Sequence, residues 1–231
     1  VAERDLPGVR MTVDGLLSKP VNVFIPQKAA GSRPFRLLIH FHGAAFVPEY
    51  AVSHVRPEYV LAVVNLGPGS AVYEGAFGEP AVFDRLLDAI RERLNSHSGG
   101  AEFSTVVLSG FSAGYGAIKA ILREPRHAAA VGGVLLLDGL HTGYLPPRTV
   151  LADGGALDES PLSPFLRFAE SAIGGKKALV ITHSEIFPGT FASTTETTDY
   201  LIRALGLKRV PVLTWGPLGM QQLSKVEQGR L

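Results

Sequence analysis

The sequence predicts an α/β protein with a mostly parallel central sheet and helices on both faces. Three observations predict it. Apolar runs of strand length alternate with helix-periodic segments along most of the 231 residues. The run Val131-Gly132-Gly133-Val134-Leu135-Leu136-Leu137 is apolar without alternation, the pattern of a strand buried on both faces. A β-branched apolar strand from Thr105 passes at once into a helix-like stretch through Gly110-Phe111-Ser112-Ala113-Gly114.

Each element has its own signal. Residues 21–26 and 36–41 read as strands joined by a turn-rich link over 27–34, and 60–66 reads as a third strand. Residues 80–95 read as a helix, because Val82, Phe83, Leu86, Leu87, Ile90 and Leu94 fall on one face. Pro80 suits its first turn, and the polar stretch 95–100 closes it. The Thr105 strand leads into a helix from Ala113 that must stop before Pro125, since a proline disfavours helical geometry in the residue before it. Strand 131–137 follows. Residues 161–173 look helical and stop at Gly174-Gly175, and 178–182 is another strand. Ser193-x-x-Glu196 is a capping box opening a helix that ends at Gly206. Residues 209–215 read as the last strand. No domain boundary is visible, so 1–231 reads as one domain, with a Pro/Gly-rich, cap-like loop region at 141–164.

Composition narrows the function. A hydrophobic content of 46% suits one sizeable core, and a net charge of +1 suggests no nucleic-acid partner. The apolar stretches are of strand length, too short for a membrane span. The chain has no cysteine, which excludes disulfides, thiolate chemistry and zinc-thiolate sites. It starts at Val1 rather than methionine, so a processed or trimmed form is expected, compatible with export after loss of a signal peptide. Compartment and oligomeric state stay open.

The strongest chemical signal is Gly110-x-Ser112-x-Gly114. Three fixed positions in a glycine-rich chain are weak by themselves, but the strand before and the helix after supply the context. A serine on a tight strand-to-helix turn aims its hydroxyl out of the end of a sheet, and small neighbours relieve the strain of that turn. The segment is no phosphate loop, since no Gly-Lys-Ser/Thr follows. Gly110, Gly114 and Gly116 also miss the dinucleotide spacing.

Together with His40-Phe41-His42-Gly43-Ala44-Ala45 upstream and the order of strands, this segment resembles the α/β-hydrolase family over about residues 21–215. The resemblance implies a serine hydrolase, foremost a carboxylic-ester hydrolase, with Ser112 as nucleophile and acyl transfer through a serine ester. It implies an oxyanion hole from the N–H groups of Ala113 and Ala44, with His42 and Gly43 positioning that loop. His40 is read as packing at a strand end. The acid is Asp138 or Glu185, each at a predicted strand end. Asp138 is slightly favoured as the commoner acid type, with Gly139 behind it.

The sequence departs from the family at the base, since no histidine follows Trp215. Either the base lies beyond Leu231, or His183 or His141 substitutes, or the protein is a noncatalytic binding protein on the same scaffold. Phe46, Tyr50, Tyr73, Phe77, Tyr115 and Phe187 are expected in loops near the serine, as pocket walls for a neutral small-molecule ester or as ordinary packing. Glu49, Glu74 and Glu79 would bind a polar group there or serve as surface charge. No cofactor is implied. No metal is implied either, since His40-x-His42 has no evident third ligand.

Overall fold

A computed structural model describes residues 2–31, 34–98, 102–216 and 219–231. The chain divides into two compact units, 1–139 and 140–231.

The first unit is built on six strands. They are β1 (Gly8–Val13), β2 (Val21–Pro26), β3 (Phe35–Phe41), β4 (Val60–Val64), β5 (Phe103–Phe111) and β6 (Val131–Leu137), in the sheet order β1-β2-β4-β3-β5-β6. β1, β2 and β4 pair antiparallel, whereas β4, β3, β5 and β6 run parallel. β1 is absent from the sequence reading. It is an edge strand whose alternate residues are exposed, so its apolar signal is diluted.

Parallel neighbours need crossovers, and helices supply them. These are α1 (Phe46–His54), α2 (Ser70–Ala76), α3 (Pro80–Ser98), α4 (Tyr115–Arg123) and α5 (Pro125–Ala130). They cover both faces. Leu38 of β3 packs against the cluster holding Val52 of α1. Phe41, three residues on and therefore on the opposite face, meets Phe77 edge-on at 5.3 Å. In α3 the stripe Phe83, Leu86, Ile90 and Leu94 is fully buried, each side chain contributing about 1.5–3 kcal/mol of transfer free energy. α4 stops at Arg123, as Pro125 requires, and Pro125 itself opens α5.

The second unit contains a short antiparallel pair, β7 (Tyr144–Leu145) with β8 (Ala156–Leu157), inside the stretch read as cap-like. Tyr144, Leu157 and Ala192 form its small core. α6 (Ser163–Ile173) buries Phe165, Phe168, Ala169 and Ala172, and β9 (Ala178–Thr182) follows. The capping box opens α7 (Thr194–Ala204): the Glu196 N–H donates to Ser193 Oγ, and the Glu196 carboxylate accepts the Ser193 N–H at 2.7 Å. The expected last strand differs. β10 (Val210–Trp215) forms an antiparallel hairpin with β11 (Gln221–Lys225) in a separate two-stranded sheet. Its register breaks between Pro211 and Thr214, and Leu213 and Trp215 are 69% and 68% exposed. A two-stranded ribbon cannot bury both faces, so its apolar residues stay in solvent.

Candidate active site

Three neighbouring parallel strands of the first unit end in the same unusual way. β3 is followed by His42 at φ 70°, β5 by Ser112 at φ 44° and β6 by Asp138 at φ 48°. Non-glycine residues rarely adopt this left-handed conformation, each at a cost of about 1–3 kcal/mol, and such strain collects at functional sites. Arg148 is the other instance among the described residues. Register brings the three together: Phe41 pairs with Gly110 and Phe111 with Leu137, so His42, Ser112 and Asp138 stand at one carboxyl-terminal sheet edge. Open α/β sheets bind ligands outside that edge.

The Ser112 turn exists because glycines let backbone approach backbone. Ser112–Gly114 form a 3-10 turn that runs into α4. A Cβ on Gly114 would lie 2.1 Å from the Phe41 carbonyl oxygen, and one on Gly110 3.0 Å from both the Gly114 backbone and Ile118. The two motif glycines therefore let the helix fold back over β5 and against the end of β3. Ser112 is half-buried, as are Ala113 and Asp138.

The loop after β3 is held from below. His42 donates its backbone N–H to Val64 at 3.0 Å, and its Nδ1 lies 3.0 Å from Tyr73 Oη. That fully buried tyrosine also accepts the N–H groups of Leu66 (3.1 Å) and Gly67 (3.4 Å). Burial pushes its pKa up. The His42 ring stacks on Phe111 at 6.1 Å between centroids. Gly43 follows at φ 114°, a conformation suited to glycine, and an exposed Ala44 then leads into α1.

The remaining candidates belong to the second unit. Arg209 donates to His183 Nε2 at 3.1 Å. A guanidinium has no acceptor, so the imidazole lone pair is on Nε2 and His183 Nδ1–H donates to Thr195 Oγ1 at 3.0 Å. Arg209 is itself anchored by Asp199 at 2.7 Å. His141 donates Nδ1–H to the Ala192 carbonyl at 2.9 Å. Glu185 lies in an exposed loop. His183 and Glu185 line a cavity of about 770 Å³ with Leu179, Leu201, Leu205 and Leu223.

The expected pocket walls in the first unit resolve largely into framework. Phe46 and Tyr50 stand on α1, Tyr73 lies on α2, and Tyr73, Phe77 and Tyr115 are buried. Glu49 pairs with Arg10 at 2.9 Å, Glu74 with Lys119 and Arg123 at 2.7 Å each, and Glu79 with Arg85 at 3.5 Å. Phe187, in the second unit, is exposed. What sequence reading missed was the part played by Tyr73, whose only signal was a lone tyrosine between glycine-rich turns. Among the described residues no group of three or more metal-ligating side chains converges, and no helix is long and apolar enough to cross a membrane.

No family model and no curated relative matches this chain. Solved structures that resemble it are esterases and hydrolases of the α/β-hydrolase fold. One is described in a structural analysis of two fungal esterases from Rhizomucor miehei (TM-score 0.46, 11% identity, covering 88% of this chain and 82% of that one). Another is a dienelactone hydrolase-like promiscuous phosphotriesterase from metagenomic libraries (TM-score 0.47, 13% identity, 87% and 78%). A third is the enterobactin esterase of Shigella flexneri (TM-score 0.41, 15% identity, 57% and 37%).

Proposed function

We propose that this protein is a serine hydrolase that cleaves carboxylic esters through an acyl-enzyme on Ser112. The observation that carries the reading is the row of strained strand ends, His42, Ser112 and Asp138, on three adjacent parallel strands. Left-handed strain at three non-glycine residues in one row is the kind that collects at functional sites, and a serine flanked by a polar loop and a carboxylate gives it a chemical role.

In this reading Ser112 Oγ attacks the ester carbonyl carbon and gives its proton to a histidine base. The developing oxyanion is held by the N–H groups of Ala113, at the head of the turn, and Ala44, in the loop held by His42. Collapse expels the alcohol, which takes the proton from the base, and water repeats the sequence to release the acid. Asp138 is the acid supported here. It is half-buried and adjacent in register to Ser112, whereas Glu185 is exposed. The histidine base stays open between His141 and His183, each of which has a hydrogen-bonded ring nitrogen.

Hydrolysis of p-nitrophenyl esters of increasing acyl length tests the reading. Turnover by the wild type, lost in Ser112→Ala but kept in Glu185→Gln, is the expected result, and loss in His141→Ala or in His183→Ala identifies the base. Turnover that survives Ser112→Ala would remove the proposal. Absence of turnover and of acyl transfer in the wild type would favour a noncatalytic binding protein.

A further inference from the structure

His40 occupies the last position but one of β3 and is buried, with 6% of its surface exposed. Its partner in register is Ser109 of β5, three residues before Ser112, and His40 Nδ1 stands 3.0 Å from Ser109 Oγ. The other side of the ring faces the turn after β3. There it hydrogen-bonds the His42 backbone, and Nε2 lies 3.8 Å from the point where a Gly43 Cβ would sit. Burial lowers the imidazole pKa to about 4, so the ring is neutral and carries one proton. A backbone carbonyl only accepts. That proton is therefore on Nε2, and Nδ1 accepts from the Ser109 hydroxyl. The ring is a two-ended strut between the Ser112 strand and the peptide joining His42 to Gly43.

We propose that His40 is a positioning residue for the oxyanion loop, holding the His42 carbonyl and with it the His42–Gly43 peptide that leads to the Ala44 N–H donor. The proposal rests on the reading of Ser112 as nucleophile. Its physical basis is the planarity of the peptide: anchoring the carbonyl on one side commits the N–H to the other. His42 at φ 70° and Gly43 at φ 114° leave this peptide reliant on outside contacts for its orientation. Tyr73 secures the His42 side chain, and His40 secures the backbone that follows it. An oxyanion is stabilised by donors already in place, so a peptide able to rotate would lose that effect.

Side-chain length separates this role from ordinary packing. His40→Gln keeps an amide N–H near the position of Nε2. His40→Asn keeps a group opposite Ser109 but is too short for the His42 carbonyl. With p-nitrophenyl butyrate as the probe, His40→Asn should lower kcat by about 100-fold with KM within about twofold, and His40→Gln should stay within about fivefold of the wild type. Crystal structures of the two variants supply a readout independent of turnover: the His42–Gly43 peptide should be turned in His40→Asn and retained in His40→Gln. Retention of kcat in His40→Asn would overturn the proposal. So would parallel loss of activity and Tm in both variants, or an unturned peptide in His40→Asn. If the wild type shows no turnover, the peptide orientation still decides the role of His40, and the failure falls on the reading of Ser112.

Discussion

Gly139 packs directly on the peptide of Ser112: a Cβ built on Gly139 would lie 2.3 Å from the Ser112 carbonyl oxygen and 2.8 Å from its nitrogen. The residue after the β6 carboxylate therefore sets how close Asp138 comes to the serine turn. Gly139→Ala should displace the Ser112 backbone, costing about 1–3 kcal/mol of stability and most of the esterase activity. Urea denaturation alongside ester hydrolysis checks both. An alanine variant with wild-type stability and rate would show that the contact is slack.

The left-handed turn at Ser112 makes a second prediction with an unusual sign. Ser112→Gly removes the nucleophile but relieves the strain at φ 44°. The variant should be inactive yet as stable as the wild type, or up to about 1 kcal/mol more stable. A clear loss of Tm would mean that the Ser112 side chain is structural.

Tyr73→Phe should act at a distance. It leaves the Leu66 and Gly67 N–H groups and His42 Nδ1 without the hydroxyl they share. The expected cost is about 1–3 kcal/mol, with a lowered kcat as the His42 loop loosens. Unchanged kcat with lowered Tm would confine Tyr73 to the framework.

Much of the fold was legible because buried parallel strands and the α3 stripe carry unambiguous periodicity. Val131–Leu137 and the Phe83-Leu86-Ile90-Leu94 face are examples. α1 and α2 were not, because both are short and glycine- or proline-marked, so Phe46, Tyr50 and Tyr73 read as loop residues. β10 was read as a strand correctly, but its partner was not. Pairing with β11 depends on a hairpin whose second strand, Gln221-Gln222-Leu223-Ser224-Lys225, lacks an apolar run. At the site, Ser112 and the glycines around it follow from local sterics that a motif encodes. The contacts of His40 with Ser109, Tyr73 with His42 and Arg209 with His183 join residues 69, 31 and 26 positions apart, and no local pattern carries them.

Acid should destabilise the fold through His40. Its folded pKa is lowered from 6.5 to about 4 by burial, so the unfolded chain binds the extra proton between those values. This contribution is fully present above about pH 6.5 and is lost as pH falls towards 4, amounting to about 3 kcal/mol over the window. Denaturant titrations at pH 7.5 and 4.5 should show a steeper loss for the wild type than for His40→Gln. Equal losses would place the titration elsewhere.

Glu74 is expected to be framework rather than a substrate contact. Burial raises its pKa, but Lys119 and Arg123 outweigh that and hold it below the ordinary carboxylate value. Its stabilising effect is present at neutral pH and lost as pH falls through that lowered value. Glu74→Gln should cost about 2 kcal/mol, since Lys119 is buried, while leaving the preference among esters unchanged. A changed acyl-length preference would return Glu74 to the pocket.

The central claim, an activated serine at the end of β5, is tested most directly by reaction with a fluorophosphonate followed by peptide mass spectrometry. One phosphonyl adduct per chain is expected, located on Ser112 and absent from Ser112→Ala. An unmodified wild type, or an adduct on another residue that persists in Ser112→Ala, would contradict it.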